Sequence, residues 1–347
     1  MKKLIAICLV IIVLTGCSSS KTPSAPNPEE LRYRSVFIAD DVVYAVCTEG
    51  RQTYLTEVFM EEPQYRLLQE ENENSHDVIW NDPLQRVLFT EGYDILAYDP
   101  ISREQSLFWE MPEGTRKNKI SMEEASDHWI FLRIGYGERK WMGSANSDPY
   151  SYYVNSLGFL NIESGVYTPW CQIDLRYNGS YRPFLICMDD QTAYIMQRTA
   201  DDEISIFSVA LDTMRTETVT TLKTRAKLGR CEGVVQDQTL HLISDISEGI
   251  LSISLKDGMT TETLLKNPSS PEHTLPWRLQ SADGHIYVLA WDGVDYPTAI
   301  LCRWDPIENS LLELSDQISS AENFFIDGND IYVWSGQELR HFVLASN

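Results

Sequence analysis

From residue 31 onward the apolar positions do not keep a helical spacing. They fall in short alternating or continuous runs, separated by Asp, Gly, Asn and Pro, which is the pattern of β-strands joined by tight turns. One unit recurs, an acidic turn followed by a strand rich in aromatic and β-branched residues. It opens as Asp40-Asp41-Val42-Val43-Tyr44 and returns as Asp82-Pro83-Leu84-Gln85-Arg86-Val87 and Asp127-His128-Trp129-Ile130-Phe131. Further copies are Asp190-Gln191-Thr192-Ala193-Tyr194, Asp237-Gln238-Thr239-Leu240-His241, Asp283-Gly284-His285-Ile286-Tyr287 and Asp327-Gly328-Asn329-Asp330-Ile331-Tyr332. With turn aspartates at 41, 82, 127, 190, 237, 283 and 327, the intervals are 41, 45, 63, 47, 46 and 44. A second strand follows each unit, clearest in Ile95–Tyr98 and Ile300–Trp304, which both run into Asp-Pro-Ile. A third follows, as in Ser106–Trp109 and Ser310–Leu314. Asp-Pro and Asp-Gly supply the hairpin turns, because Asp tolerates turn geometry and Pro or Gly fixes the backbone.

Three or four antiparallel strands repeating at this period resemble the β-propeller. The resemblance covers residues 31–347 and implies an all-β ring of seven blades, with six or eight blades or a pair of β-sandwiches as the alternatives. The last unit stops about one strand short. In propellers an N-terminal strand often completes the final blade, and Leu31–Phe37 is the candidate to close the ring. The units lack the Gly-His and Trp-Asp pair of WD40 repeats and the double glycine of kelch. They are similar to the loose repeats of exported bacterial propeller lipoproteins, a resemblance that implies architecture more than activity.

The N-terminus has a pattern of its own. Met1-Lys2-Lys3 precedes an uncharged apolar run from Leu4 to Leu14, followed by Leu14-Thr15-Gly16-Cys17. The run has the length of a signal peptide and is short for a bilayer-spanning helix. The tetrad resembles the lipobox of bacterial lipoproteins. That resemblance implies removal of residues 1–16, lipidation of Cys17, and a chain tethered to the membrane on its extracytoplasmic face. Residues 17–30 are polar and Pro-rich, without apolar periodicity, and read as an extended tether. Residues 31–347 form the folded part.

The chain of 347 residues carries 51 acidic and 28 basic residues, a net charge of −23. That balance argues against a nucleic-acid partner, whose phosphates call for a basic surface. Apart from Cys8 and Cys17, the cysteines are Cys47, Cys171, Cys187, Cys231 and Cys302, at spacings that suit small core residues better than a disulfide framework, with one bridge left open.

The interval of 63 marks an insertion in the third blade, at about 134–154, rich in Gly, Ser, Asn and aromatics. Long loops of that composition suit recognition, because Tyr and Trp offer large contact area at low entropic cost. Its candidate binding residues are Tyr136, Trp141, Tyr150 and Tyr152. Two other aromatic segments add Tyr177 and Tyr181, and Trp291 and Asp292. They would form one patch if they shared a propeller face; unrelated turns are the alternative. The six histidines are scattered without metal-ligand spacing, and no cofactor or metal site is expected. There is no Gly-x-Ser-x-Gly elbow or Gly-rich phosphate loop, so no catalytic residue is assigned. The sequence favours a non-catalytic module that binds a protein, peptide or glycan at the cell surface. An exported enzyme acting on carbohydrate or peptide, with acidic residues near the central channel, and a structural subunit of an envelope assembly complex are the alternatives.

Overall fold

A computed structural model describes residues 26–60, 63–69, 78–111, 120–138, 152–174, 183–226, 228–229, 231–266, 273–292 and 298–344. Among them the regular structure is all strand. Blade one consists of β1 (Arg32–Ala39), β2 (Val42–Glu49), β3 (Gln52–Glu57) and β4 (Tyr65–Gln69), paired in chain order. Blade two repeats this with β5 (Val78–Asn81), β6 (Arg86–Glu91), β7 (Asp94–Tyr98) and β8 (Gln105–Glu110). Blade three has β9 (Ile120–Ala125), β10 (Trp129–Glu138), β11 (Tyr152–Asn161) and β12 (Tyr167–Asp174), and blade four β13 (Phe184–Met188), β14 (Thr192–Ala200), β15 (Glu203–Ala210) and β16 (Arg215–Lys223). Blade five has β17 (Cys231–Gln236), β18 (Thr239–Ser244), β19 (Ile250–Ser254) and β20 (Thr260–Thr263). Blade six is larger, with β21 (Leu265–Lys266), β22 (His273–Ala282), β23 (His285–Asp292), β24 (Thr298–Asp305) and β25 (Ser310–Glu313), and with β26 (Ile318–Ser319) pairing β24. Blade seven has β27 (Ala321–Asp327), β28 (Asp330–Ser335) and β29 (Leu339–Val343). The molecule is a seven-bladed β-propeller.

The acidic units are the turns between the first and second strands. Asp40 and Asp41 have φ of 50° and 61°, Asp237 and Gln238 49° and 59°, and Asp283 and Gly284 49° and 72°. Positive φ at both central residues matches the twist of a two-residue hairpin, and Asp and Gly tolerate it best. Alternation along each strand then sends side chains to opposite faces of the blade. In β18, Leu240 and Leu242 pack toward blade four, whereas Ile243 packs toward blade six. Seven apolar clusters result, one at each interface between neighbouring blades.

Leu31–Phe37 lies at the closing seam, but it does not complete blade seven. The tight Asp40-Asp41 turn folds β1 back onto β2, with Ala39 opposite Val42, so β1 is the innermost strand of blade one. The ring closes by packing of Leu31, Val36, Ala45 and Cys47 against Tyr332 and Trp334. Tyr33 N–H donates to Gly336 O at 2.9 Å, and Gln337 Nε2 to Glu29 O at 3.0 Å. Blade seven keeps three strands among the described residues.

The expected insertion is a lengthened hairpin at its base. Residues 134–138 and 152–154 are strand, paired from Ile134 opposite Ser156 to Glu138 opposite Tyr152. Below it, Gly158 stands where a β-carbon would lie 2.3 Å from Thr168 O. Gly158→Ala would have to push β12 off β11, so an overpacking loss of about 1–3 kcal/mol is expected in denaturant unfolding. No disulfide joins Cys47, Cys171, Cys187, Cys231 or Cys302. Burial pushes the thiols of Cys47 and Cys302 up to about 12, as befits small core residues.

Candidate functional site

The antiparallel order gives the ring two unlike faces. First-to-second and third-to-fourth strand turns meet on one, the turn face. Second-to-third strand connections and the links between blades meet on the other, the loop face. The strand ends at Glu138 and Tyr152, at Asp174 and Phe184, and at Asp292 and Thr298 all open on the loop face. These ends flank the three aromatic segments singled out in the sequence. Trp141, Tyr150, Tyr177 and Tyr181 lie outside the described residues. Tyr136 is in β10, opposite Val154, Tyr152 is at the start of β11, and Asp292 ends β23, opposite Thr274.

Trp291 is described in full. Its ring stacks on Trp277 with centroids 3.8 Å apart and planes 18° from parallel, and both rings pack against the core between blades six and seven. Trp277 Nε1 donates to Glu322 O at 3.1 Å, whereas the buried Trp291 Nε1 has no hydrogen-bond partner among the described residues.

The innermost strands carry a polar chain that the sequence did not reveal. Glu232 of β17 accepts from Arg278 Nη1 at 2.6 Å and from Leu279 N–H at 2.9 Å, both on β22. Arg278 Nε goes on to donate to Glu322 O on β27 at 3.1 Å. On the other side, Glu124 of β9 accepts from Met188 N–H on β13. Burial, reinforced by the Glu232 carboxylate, pushes Glu124 up to about 8 against that hydrogen bond, so it keeps its proton at neutral pH. Burial also holds the neighbouring Cys187 thiol well above its usual range, with Glu124 adding to it. Two carboxyls in 51 are invisible without geometry; only their place on innermost strands sets them apart.

On the turn face, blades five and six part to form a groove of about 600 Å³. At its base the buried His241 shares a 2.8 Å hydrogen bond through Nδ1 with Ser252 Oγ and meets Trp304 edge-on, with centroids 5.2 Å apart. Burial pushes the imidazole down to about 4, so it is neutral. In the sequence His241 belongs to one of the repeating strand units, and nothing there marked a site. Among the described residues, no group of three or more His, Cys, Asp or Glu side chains is placed to hold a metal ion.

No protein-family model matches the chain, and no curated protein matches it. Solved structures do. The chain is similar to the acylaminoacyl peptidase of Pyrococcus horikoshii, with a TM-score of 0.56 and 10% identity over 91% of this chain and 52% of that one. It is similar to the extracellular domain of the hybrid two-component system BT4673 from B. thetaiotaomicron, with a TM-score of 0.54 and 12% identity over 90% of this chain and 38% of that one. Saccharomyces cerevisiae Sqt1 matches with a TM-score of 0.50 and 9% identity over 91% and 83%. The chain thus spans about half the length of the peptidase, and at these identities the likeness is one of fold.

Proposed function

We propose that this chain is an exported lipoprotein, acylated on Cys17, whose propeller is a non-catalytic binding or scaffolding module for a protein, peptide or glycan. The observation that supports this most is the shared loop face of the strand ends at Glu138/Tyr152, Asp174/Phe184 and Asp292/Thr298. Adaptable aromatic segments carried on a rigid ring are the usual means of recognition by loops.

Two experiments test it. Mass analysis of the membrane-extracted protein should find an N-terminus at Cys17 bearing a diacylglycerol, and Cys17→Ser should leave the precursor uncleaved. The unlipidated chain from residue 18 onward should bind either isolated cell-wall glycan or the solubilised envelope proteins of its host. Replacing residues 139–151 by Asn-Gly should weaken that binding at least tenfold, about 1.4 kcal/mol, with an unchanged melting temperature. Binding that survives the replacement would remove the loop face from the reading.

A second reading, an exported enzyme acting on carbohydrate or peptide, is favoured by Glu124 and Glu232, since a protonated carboxyl facing another carboxylate is an acid–base arrangement. Both, however, tie neighbouring blades together through Met188, Arg278 and Leu279. Hydrolysis of cell-wall glycan or peptide that Glu124→Gln abolishes would establish the enzyme.

A further inference from the structure

The groove between blades five and six is lined by a residue that departs from the repeat. The third residue of each blade's second strand faces the next blade. Six blades have Tyr44, Leu88, Phe131, Tyr194, Tyr287 and Tyr332 at that position, and blade five has His241. Across the sheet His241 is opposite Ser252, and Ser252 is opposite Thr261. Toward the loop face the same interface is filled by Ile243 and Ile250 packing on Ile286 and Val288. Toward the turn face, His241, Ser252 and Thr261 form a polar row. Grooves also open beside Tyr287 between blades six and seven, at about 620 Å³, and beside Tyr44 between blades one and two, at about 230 Å³, so the polar row rather than the opening distinguishes this one. A core position that breaks its own repeat with a polar side chain, and lines a ligand-sized groove, marks a site better than it marks a packing defect.

The walls of the groove differ. Blade five presents the hydroxyls of Thr239, Ser252, Thr261 and Thr263 around His241. Blade six presents Trp304, Pro306, Ile307 and Leu312. Ile307 is 93% exposed and Leu312 49%, so the apolar wall stands open to solvent at the mouth. Trp304 is fixed from behind, since its Nε1 donates to Asn309 Oδ1 at 3.3 Å. The rim carries Asp237 and Asp305 along with Arg303 and His285, in a chain of net charge −23. Asp305 Oδ1 is occupied by the N–H groups of Ile307 and Glu308, at 2.8 and 3.1 Å. Such a rim does not attract anions. Hydroxyls that both donate and accept, facing an apolar wall, match a ligand with hydroxyls on its edges and C–H groups on its faces.

We propose that this groove is a binding site for an uncharged sugar of one or two rings, with its hydroxyls on the Thr239, Ser252 and Thr261 wall and its C–H face on Ile307 and Leu312. The site lies on the face opposite the strand ends at Glu138/Tyr152, Asp174/Phe184 and Asp292/Thr298, so it is independent of the loop-face reading and should survive replacement of residues 139–151.

The test is titration of the unlipidated protein with maltose, cellobiose and N,N′-diacetylchitobiose, with glucuronate and inorganic phosphate as charged controls. It is followed by the tryptophan side-chain and histidine ring signals in nitrogen-edited NMR. At least one neutral disaccharide should shift Trp304 Nε1–H and the His241 ring saturably, and more tightly than either anion. Thr261→Trp, which fills the groove from an exposed position, should weaken binding at least tenfold. Ile307→Asp, on a fully exposed turn, should weaken it several-fold whether or not the tryptophan variant folds. The proposal is overturned if no neutral sugar of the three moves these signals, if an anion binds more tightly, or if the affinity is unchanged in Ile307→Asp.

Discussion

Glu124→Gln should stabilise the protein at alkaline pH by on the order of 3–5 kcal/mol while leaving it nearly unchanged at pH 4.5. The folded protein holds the Glu124 proton up to about pH 8, whereas the unfolded chain gives it up near 4.5. A group whose folded pKa is raised contributes stability that is complete below the unfolded value and is lost as pH rises through the folded one. His241 works in the opposite sense. Its folded pKa of about 4 lies below the ordinary 6.5, so its contribution is complete above 6.5 and is lost as pH falls toward 4. Between pH 4.5 and 6.5 the two slopes oppose each other and stability is nearly flat. From 6.5 to 8 the Glu124 slope is no longer opposed by His241, and about 2 kcal/mol should be lost. Glutamine keeps an oxygen for Met188 N–H but has no proton to lose, so the variant should show no alkaline decline. Urea midpoints from pH 4.5 to 9 read both limbs. A parallel decline in the variant would mean that Glu124 is not the group responsible.

Arg198→Met should be the most damaging single change outside the apolar core, costing about 3–5 kcal/mol. Arg198 is only 5% exposed, and its guanidinium gathers four carbonyls at the loop-face end of blade four. Nη1 donates to Asp201 O at 2.8 Å, to Thr224 O at 3.0 Å and to Ala200 O at 3.5 Å, while Nη2 donates to Ala226 O. Two of these acceptors belong to the β14–β15 turn and two to the chain leaving β16 for blade five. Methionine fills much of the volume and satisfies none of them. Lysine should recover little, because one ammonium cannot reproduce the planar fork. The melting temperature should fall by roughly 10 °C, and amide exchange at residues 224–226 should accelerate before the rest of the molecule opens. A loss under 1 kcal/mol would show that water replaces the guanidinium at those carbonyls.

The blades were legible because turn chemistry is local. Asp40-Asp41, Asp237-Gln238 and Asp283-Gly284 adopt positive φ for reasons contained in two residues. The strands after them carry their own alternation, so the second, third and fourth strands of most blades could be placed by eye. The first strands were harder. Ile120–Ala125 and Cys231–Gln236 carry Glu123, Glu124 and Glu232 among their apolar residues, and that blurs the alternation. Glu123 pairs with Arg133 of its own blade, but Glu124 and Glu232 are explained by partners in the next blade, some 47 residues away in the case of Glu232 and Leu279. The pairing of Leu31–Phe37 departs from the sequence expectation for a related reason. A short final unit suggests a missing strand, but the Asp40-Asp41 turn already commits β1 to β2. The groove did leave a trace in the sequence. Aligning the third residue after each turn sets His241 apart from six bulky aromatic or aliphatic neighbours, a comparison that becomes meaningful once that position is known to face the next blade.

The seam between blades seven and one has a mechanical consequence. At every other interface the chain itself crosses from one blade to the next, so those blades stay tethered even if their packing fails. At the seam nothing covalent crosses, and the ring is held by the Tyr332 and Trp334 packing and by the bonds from Tyr33 to Gly336 and from Gln337 to Glu29. The segment entering at Asn27 is pinned to blade one through Glu49, at 2.9 Å, and to blade seven through Gln337. A pull on the N-terminal segment is therefore shared by the two sides of the joint. The ring behaves as a split washer with its cut clamped at the point where the load arrives, and that cut is where it would first spring open.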